Sequence, residues 1–238
     1  MDLDLDLGGP RHGADSATVA RRFDELNEPY RHANMAFDAA KLNLRRHGSA
    51  SVVLTAPHAG WQTRNGRPKL PDSGTGGLAE MMAERSDALA ITVSGNQLDD
   101  PNFDTSIGPF KATVLAELAE HPFVIDLHAL RRSRPIDIDI GLGPAPDATT
   151  QLLAVELQRR ACAAGFVATI NDPFDARPPG TITAFAQTHG AQALQIEINS
   201  RLLNSDNPDR LKALIEWLDG VVSSAEMSRD AGGERIAP

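Results

Sequence analysis

Apolar residues fall into two rhythms along this chain. Continuous apolar runs at Ser51–Ala56, Leu89–Ser94, Pro122–Leu127, Gly165–Ile170 and Ala193–Ile198 predict short strands buried on both faces of a sheet. Ile136–Leu142 reads differently. Ile136, Ile138 and Ile140 alternate with Asp137 and Asp139, the pattern of a half-exposed strand. Helical spacing separates these runs at Leu78–Arg85, Phe110–Glu120, Thr149–Ala164 and Pro208–Val222. The last puts Leu211, Leu214, Ile215, Leu218 and Val222 on one face, with Asn207 as its cap. Two earlier helices are expected at Ala17–Leu26 and His32–Asn43. Strands alternating with helices predict an α/β fold: a mixed, mostly parallel central sheet with helices on both faces.

Composition narrows the possibilities. The 238 residues are 41% hydrophobic, enough for one sizeable core, and only 5% aromatic, so the core must be aliphatic. The polar, glycine-containing ends give an expected layout of a flexible segment at 1–20, a single α/β domain at 21–226 and a flexible tail at 227–238. A formal charge of -9 carries no basic footprint for nucleic acid. No run of about 18 apolar residues is present, so no membrane span is expected. The start Met1-Asp2-Leu3-Asp4 lacks the basic and apolar regions of a signal peptide, and Cys162 has no cysteine partner. A cytoplasmic protein is therefore expected, with Cys162 as a small buried helix residue. Nothing in the sequence sets an oligomeric state.

Polar residues at strand ends carry the chemistry. His58 follows the first apolar run in Pro57-His58-Ala59-Gly60, and His128 directly follows Pro122–Leu127. In open α/β sheets, functional groups collect beyond the carboxyl ends of strands. A catalytic zinc takes three protein ligands from His, Asp or Glu and leaves one position for water. Asp72, in the glycine-rich turn Asp72-Ser73-Gly74-Thr75-Gly76-Gly77, is the best third ligand. Glu80 and Glu84 are nearby carboxylates on the predicted helix, where solvation is the ordinary explanation. Glu197 lies inside an apolar strand, where a carboxylate is costly unless paired or bound to metal, and it suits the general acid and base. Asp126 is either an orienting partner of a histidine ligand or a strand-end turn residue.

The segment Val53-Leu54-Thr55-Ala56-Pro57-His58-Ala59-Gly60 resembles the Pro-His-Gly element of the N-formylglutamate amidohydrolase family. Asp72-Ser73-Gly74-Thr75 is similar to that family's acidic-x-Gly-Thr turn, and Val124-Ile125-Asp126-Leu127-His128-Ala129 to its Asp-Leu-His element. Ile138-Asp139-Ile140-Gly141-Leu142-Gly143 and Ala193-Leu194-Gln195-Ile196-Glu197-Ile198-Asn199 with Arg201 complete the series in family order. The resemblance spans roughly residues 51 to 203. It implies a phosphorylase/hydrolase-like fold related to zinc carboxypeptidases. It also implies metal ligands at His58, Asp72 and His128, a catalytic Glu197, and hydrolysis of N-acyl bonds on acidic amino acids or of γ-glutamyl bonds.

One departure concerns the substrate. The family's Arg after an Asn is missing, because Ser94-Gly95-Asn96-Gln97 has Asn96 and no arginine. The expected binders of a small acidic amino-acid derivative or peptide are Arg201, Arg131, Arg132 and Asn96, with Arg134 and Arg177 as further cations. His189 either stabilises the oxyanion or donates a proton, or is simply exposed. Zinc is favoured by ligand type, and other divalent transition metals suit the same donors. The alternatives to amide hydrolysis are a metallocarboxypeptidase-like peptidase and a non-catalytic binding module on the same fold.

Overall fold

The computed structural model describes residues 13–48 and 50–232. In chain order these form α1 (Ser16–Ala36), β1 (Lys41–Arg46), β2 (Val52–Ala56), β3 (Gln62–Arg64), β4 (Arg67–Lys69), α2 (Thr75–Ser86), β5 (Leu89–Ser94) and α3 (Pro109–Glu117). There follow β6 (Phe123–Leu130), β7 (Ile138–Gly141), α4 (Ala148–Ala163), β8 (Ala168–Ile170), α5 (Ile182–Thr188), β9 (Gln192–Asn199) and α6 (Pro208–Gly232). A seven-stranded sheet has the order β1-β5-β2-β6-β9-β7-β8, and β3 and β4 form a separate hairpin. The β2–β5, β2–β6, β6–β9 and β7–β8 pairings are parallel, and β1–β5 and β7–β9 are antiparallel. Helices cover both faces, as the alternating pattern predicts.

The two faces are built differently. On one, Leu54, Ile125, Leu127, Ile138, Ile140, Leu194, Ile196 and Ile198 join Phe23 of α1, Met81 of α2, Leu157 of α4 and Leu214 of α6 in a continuous aliphatic core. On the other, Val53, Ile91, Val124 and Ala193 pack with Phe110 and Val114 of α3 and Ile182 and Ala186 of α5. Successive side chains alternate across a strand, so residues two apart share a face. On this second face, Val53 is therefore followed by Thr55, Val124 by Asp126 and His128, and Ala193 by Gln195 and Glu197. The upper half of one sheet face is polar and buried.

Several elements differ from the sequence expectation. The two helices expected before residue 43 are one helix, α1, which continues through Pro29 and stops where Phe37 turns left-handed at φ 57. Residues 41–46 are instead the edge strand β1, whose Leu42 and Leu44 stay partly exposed. The hairpin β3–β4 and the short α5 were not expected, although Thr181 is a clear N-cap, accepting from the Ala184 N–H. β7 is fully buried rather than half-exposed. Its aspartates are compensated inside the protein. Asp137 accepts from Arg201 and from the Val167 N–H, and Asp139 accepts from the Thr169 hydroxyl and the Asp172 and Phe174 N–H groups. Cys162 is exposed, not buried.

The segment read as flexible through residue 20 is helical from Ser16, where the Asp15 side chain caps α1. The tail read as flexible from 227 continues as α6 to Gly232. Residues 1–12 and 233–238 of these two expected segments lie outside the described residues. Asn207 caps α6 as predicted, accepting from the Arg210 N–H at 3.2 Å. No described helix is long and apolar enough to cross a membrane.

The loop between β5 and α3 is packed against the segment leading into α5. A Cβ on Gly180 would lie 1.9 Å from the Phe103 carbonyl oxygen. Gly180→Ala is expected to destabilise the fold by about 1–3 kcal/mol, as overpacking against backbone does. Urea unfolding with an unchanged slope and a lower midpoint would show it; an unchanged midpoint would mean the loop yields freely.

Candidate metal centre

Backbone hydrogen bonds deliver the polar residues to one place. β2 ends at Ala56 and the chain turns through 57–60, carrying His58. The turn needs Gly60, because a Cβ there would lie 2.5 Å from the Gly95 carbonyl oxygen. The Asp72 N–H donates to the His58 carbonyl at 2.7 Å, which folds the glycine-rich turn back onto the first histidine. The Thr75 hydroxyl donates to the Asp72 carbonyl at 2.7 Å and locks that turn. His128 lies within β6 rather than after it, opposite Glu197 of β9 in the parallel register.

The side chains converge. The His58 and His128 rings are edge to face, with centroids 4.8 Å apart. One Asp72 oxygen lies 3.1 Å from His128 Nδ1 and 3.5 Å from His58 Nδ1. The three donor atoms are all within 4.8 Å of one another. Donors about 2.1 Å from a tetrahedral ion stand roughly 3.4 Å apart, so the spacing matches a shared cation.

The far nitrogen of each imidazole is also held. His58 Nε2 lies 2.7 Å from Asp100 and His128 Nε2 lies 3.0 Å from Asp126, and both aspartates are fully buried. In the neutral form with the proton on Nε2, donated to the carboxylate, each ring would face Asp72 with its Nδ1 lone pair. That is the tautomer and orientation a metal ligand needs. Asp126 is thus engaged with His128 rather than with a turn, and the Thr55 hydroxyl donates to its other oxygen at 2.7 Å.

Charge in the site points the same way. Burial would lower the His58 pKa, but hydrogen bonds to Asp100 and Asp72 outweigh it and raise the imidazole above its usual range. Burial opposes protonation of His128 too, yet Asp126, Asp72 and Glu197 hold its pKa well above the usual value. Asp72 would be raised by burial, and the two histidines overturn that and hold it far below the carboxylate range. The enclosure therefore favours positive charge between Asp72 and the two imidazoles, and the donor set fits a divalent transition metal.

Glu197 is buried on β9 beside this cluster, and the Gln195 amide donates to it at 3.0 Å. Burial is the main cause that pushes its pKa up to about 7; His128 opposes the rise and Asp72 adds to it. A carboxyl that changes protonation near neutrality suits proton transfer.

Other expected residues fare differently. Arg201, the first-ranked carboxylate binder, is engaged elsewhere: its guanidinium donates to Asp137 at 2.8 Å and to the Arg134 carbonyl at 3.0 Å. It ties the end of β9 to the start of β7. Arg131 and Arg132 are exposed on the loop that leaves β6 just after His128. Asn96 is pinned by its N–H to the Asp38 carbonyl at 2.7 Å, and its side-chain oxygen is buried without a partner. No described hydrogen bond or ion pair joins Arg201, Arg131, Arg132 or Asn96 to the ligand set. Glu80 and Glu84 are engaged with Tyr30 and Arg22, which leaves Asp72 as the carboxylate of the cluster. His189 bonds to the Phe185 carbonyl at the end of α5. Asp100 was not anticipated. Its sequence setting, Asp99-Asp100-Pro101, is that of an ordinary turn, and only the folded loop puts it behind His58.

No family model and no curated protein matches the sequence. Solved structures do match the fold. A gene product of Agrobacterium tumefaciens aligns with a TM-score of 0.62 at 18% identity, covering 82% of this chain and 98% of that one. N-formylglutamate amidohydrolase from Ralstonia eutropha JMP134 aligns with a TM-score of 0.58 at 14% identity, covering 79% and 98%. The zinc-free apo form of YNDL aligns at 0.54 and 16% identity, covering 77% and 89%. The chain shares the fold of these proteins.

Because protons and a cation compete for the same two Nδ1 atoms, metal affinity must depend on pH. Both imidazoles have pKa values raised above the ordinary imidazole range, so affinity should already fall as pH drops toward that range, and fall further below it. With two protons competing, the fall should be steeper than the about tenfold per pH unit of one. Zinc titrations against a competing chelator measure this; a pH-independent affinity would refute the assignment of both histidines.

Proposed function

We propose that this chain is a metal-dependent amidohydrolase, with His58, Asp72 and His128 as the metal ligands and Glu197 as the catalytic carboxylate. The observation that carries the reading is the convergence of the three donor atoms within 4.8 Å, with each imidazole backed by a buried aspartate. Zn2+ is the favoured ion for two nitrogens and one carboxylate. When bound, it would supply Lewis acidity toward water and toward an amide carbonyl.

The chain's own residues do the rest. Glu197 accepts a proton from the attacking water and delivers it to the departing amine, a task matched by a pKa near 7. Gln195 holds one Glu197 oxygen and so fixes where the other points. Asp100 and Asp126 keep the two imidazoles in register through the cycle. The substrate is a small acidic amino-acid derivative or peptide, of the N-acyl or γ-glutamyl kind. Arg131 and Arg132, exposed on the loop that leaves β6, would attract its carboxylate. The complete ligand set together with Glu197 supports an enzyme over a binding module, which would need only the fold.

The test is metal analysis of the purified protein with assays on N-formyl-glutamate and γ-glutamyl amides, for wild type and Glu197→Gln. Stoichiometric zinc is expected, with a rate that falls by about a hundredfold or more in the variant, the low end for losing a general base. The isosteric change should leave zinc content intact. Full activity in Glu197→Gln would remove Glu197 from the mechanism, and a protein that takes up no metal would remove the mechanism itself.

A further inference from the structure

The two histidines are not held in the same way. Behind His128, Asp126 is braced by the Thr55 hydroxyl, and both stand on neighbouring strands of the main sheet. Behind His58, Asp100 stands on the loop between β5 and α3, and its brace comes from outside the sheet. Arg64 Nε, on the hairpin β3–β4, donates to Asp100 Oδ2 at 2.7 Å, while Asp100 Oδ1 faces His58 Nε2 at 2.7 Å. The Arg64 guanidinium also lies over the Phe103 ring at 4.4 Å.

We infer that Arg64 is a positioning residue for the metal centre, acting through Asp100 to hold His58 in its ligating orientation. The inference rests on reading His58 as a metal ligand. The physical reason is charge. Asp100 is fully buried, and a buried carboxylate needs a compensating partner. His58 cannot be that partner once it binds a cation, because it is then a neutral donor facing a positive ion. Among the described ion pairs, the full positive charge bonded to Asp100 is that of Arg64.

The rest of the loop is fixed independently of Arg64. The Asn102 side chain accepts from the Ile182 N–H at 2.7 Å, and Lys111 donates to the carbonyls of Asp104 and Gly180. Removing Arg64 therefore leaves the loop anchored and alters mainly the carboxylate that orients His58. The hairpin, whose β4 strand is exposed, becomes an outer arm of the metal centre.

The experiment compares Arg64→Ala, Arg64→Lys, Asp100→Asn and the double variant Arg64→Ala/Asp100→Asn. Zinc affinity is measured by chelator competition, and the imidazole nitrogens of His58 and His128 are followed by NMR in metal-free protein. Loss of an orienting partner typically costs about 10–100-fold in metal affinity, and that loss is expected for Arg64→Ala. Arg64→Lys should recover part of it. The double variant should bind zinc no more weakly than Asp100→Asn alone, since two residues in one path are not additive. In metal-free Arg64→Ala the His58 nitrogens should shift and those of His128 should not. Affinity within twofold of wild type, additive losses, or equal shifts at both histidines would overturn the inference. If Arg64→Ala does not fold, the lysine variant and Asp100→Asn carry the same comparison. If wild-type protein binds no zinc, the functional reading fails, and the NMR comparison still decides whether Arg64 orients His58.

Discussion

Everything in this molecule's candidate site depends on one compensation: buried negative charge held against two imidazoles. Asp100, Asp126 and Glu197 are buried, with Asp72 partly buried beside them, and isolated carboxylates there would be costly. The histidines answer that charge directly, and their raised pKa values are the sign of it. An ion at the shared face of Asp72 would answer it better, since it places more positive charge at the point where the donors converge. The electrostatics of the cluster thus favour positive charge where Asp72 meets the two imidazoles.

The sheet makes this possible by dividing its two faces. One face carries a continuous aliphatic core along β2, β6, β7 and β9 that anchors these strands against α1, α2, α4 and α6. The other is apolar only where α3 and α5 cover it, and changes to Thr55, Asp126, His128, Gln195 and Glu197 toward the carboxyl ends. Core stability and chemistry therefore share strands without sharing side chains. Parallel pairing of β2, β6 and β9 brings the polar ends into one row, because parallel strands finish at the same edge.

The reach of the site extends beyond that row. His58 and Asp72 stand on turns, and their positions come from backbone bonds such as the Asp72 N–H to the His58 carbonyl. Asp100 and Arg64 are recruited from a loop and a hairpin that the main sheet does not include. The supports thus run outward, from His128 inside a strand to the partly buried Arg64 on the hairpin β3–β4.

The amino-acid sequence alone determined the alternation of buried strands and amphipathic helices, because burial demands apolar runs that are visible without coordinates. It also marked His58, His128 and Glu197, each a polar group where an apolar run ends or passes, and Asp72 in its glycine-rich turn. Tertiary structure alone decided what those groups touch. Asp137 and Asp139 read as solvent-facing, and folding buried them by bringing Arg201 and distant N–H groups to meet them. Arg201, expected as a substrate binder from its place after the Gln195-Ile196-Glu197 segment, is held by Asp137, 64 residues away in the chain. Asp100 and Arg64 carried no local signal at all. Charge compensation is a property of space rather than of spacing, so the partners of a buried ion become known only when the chain has closed around it.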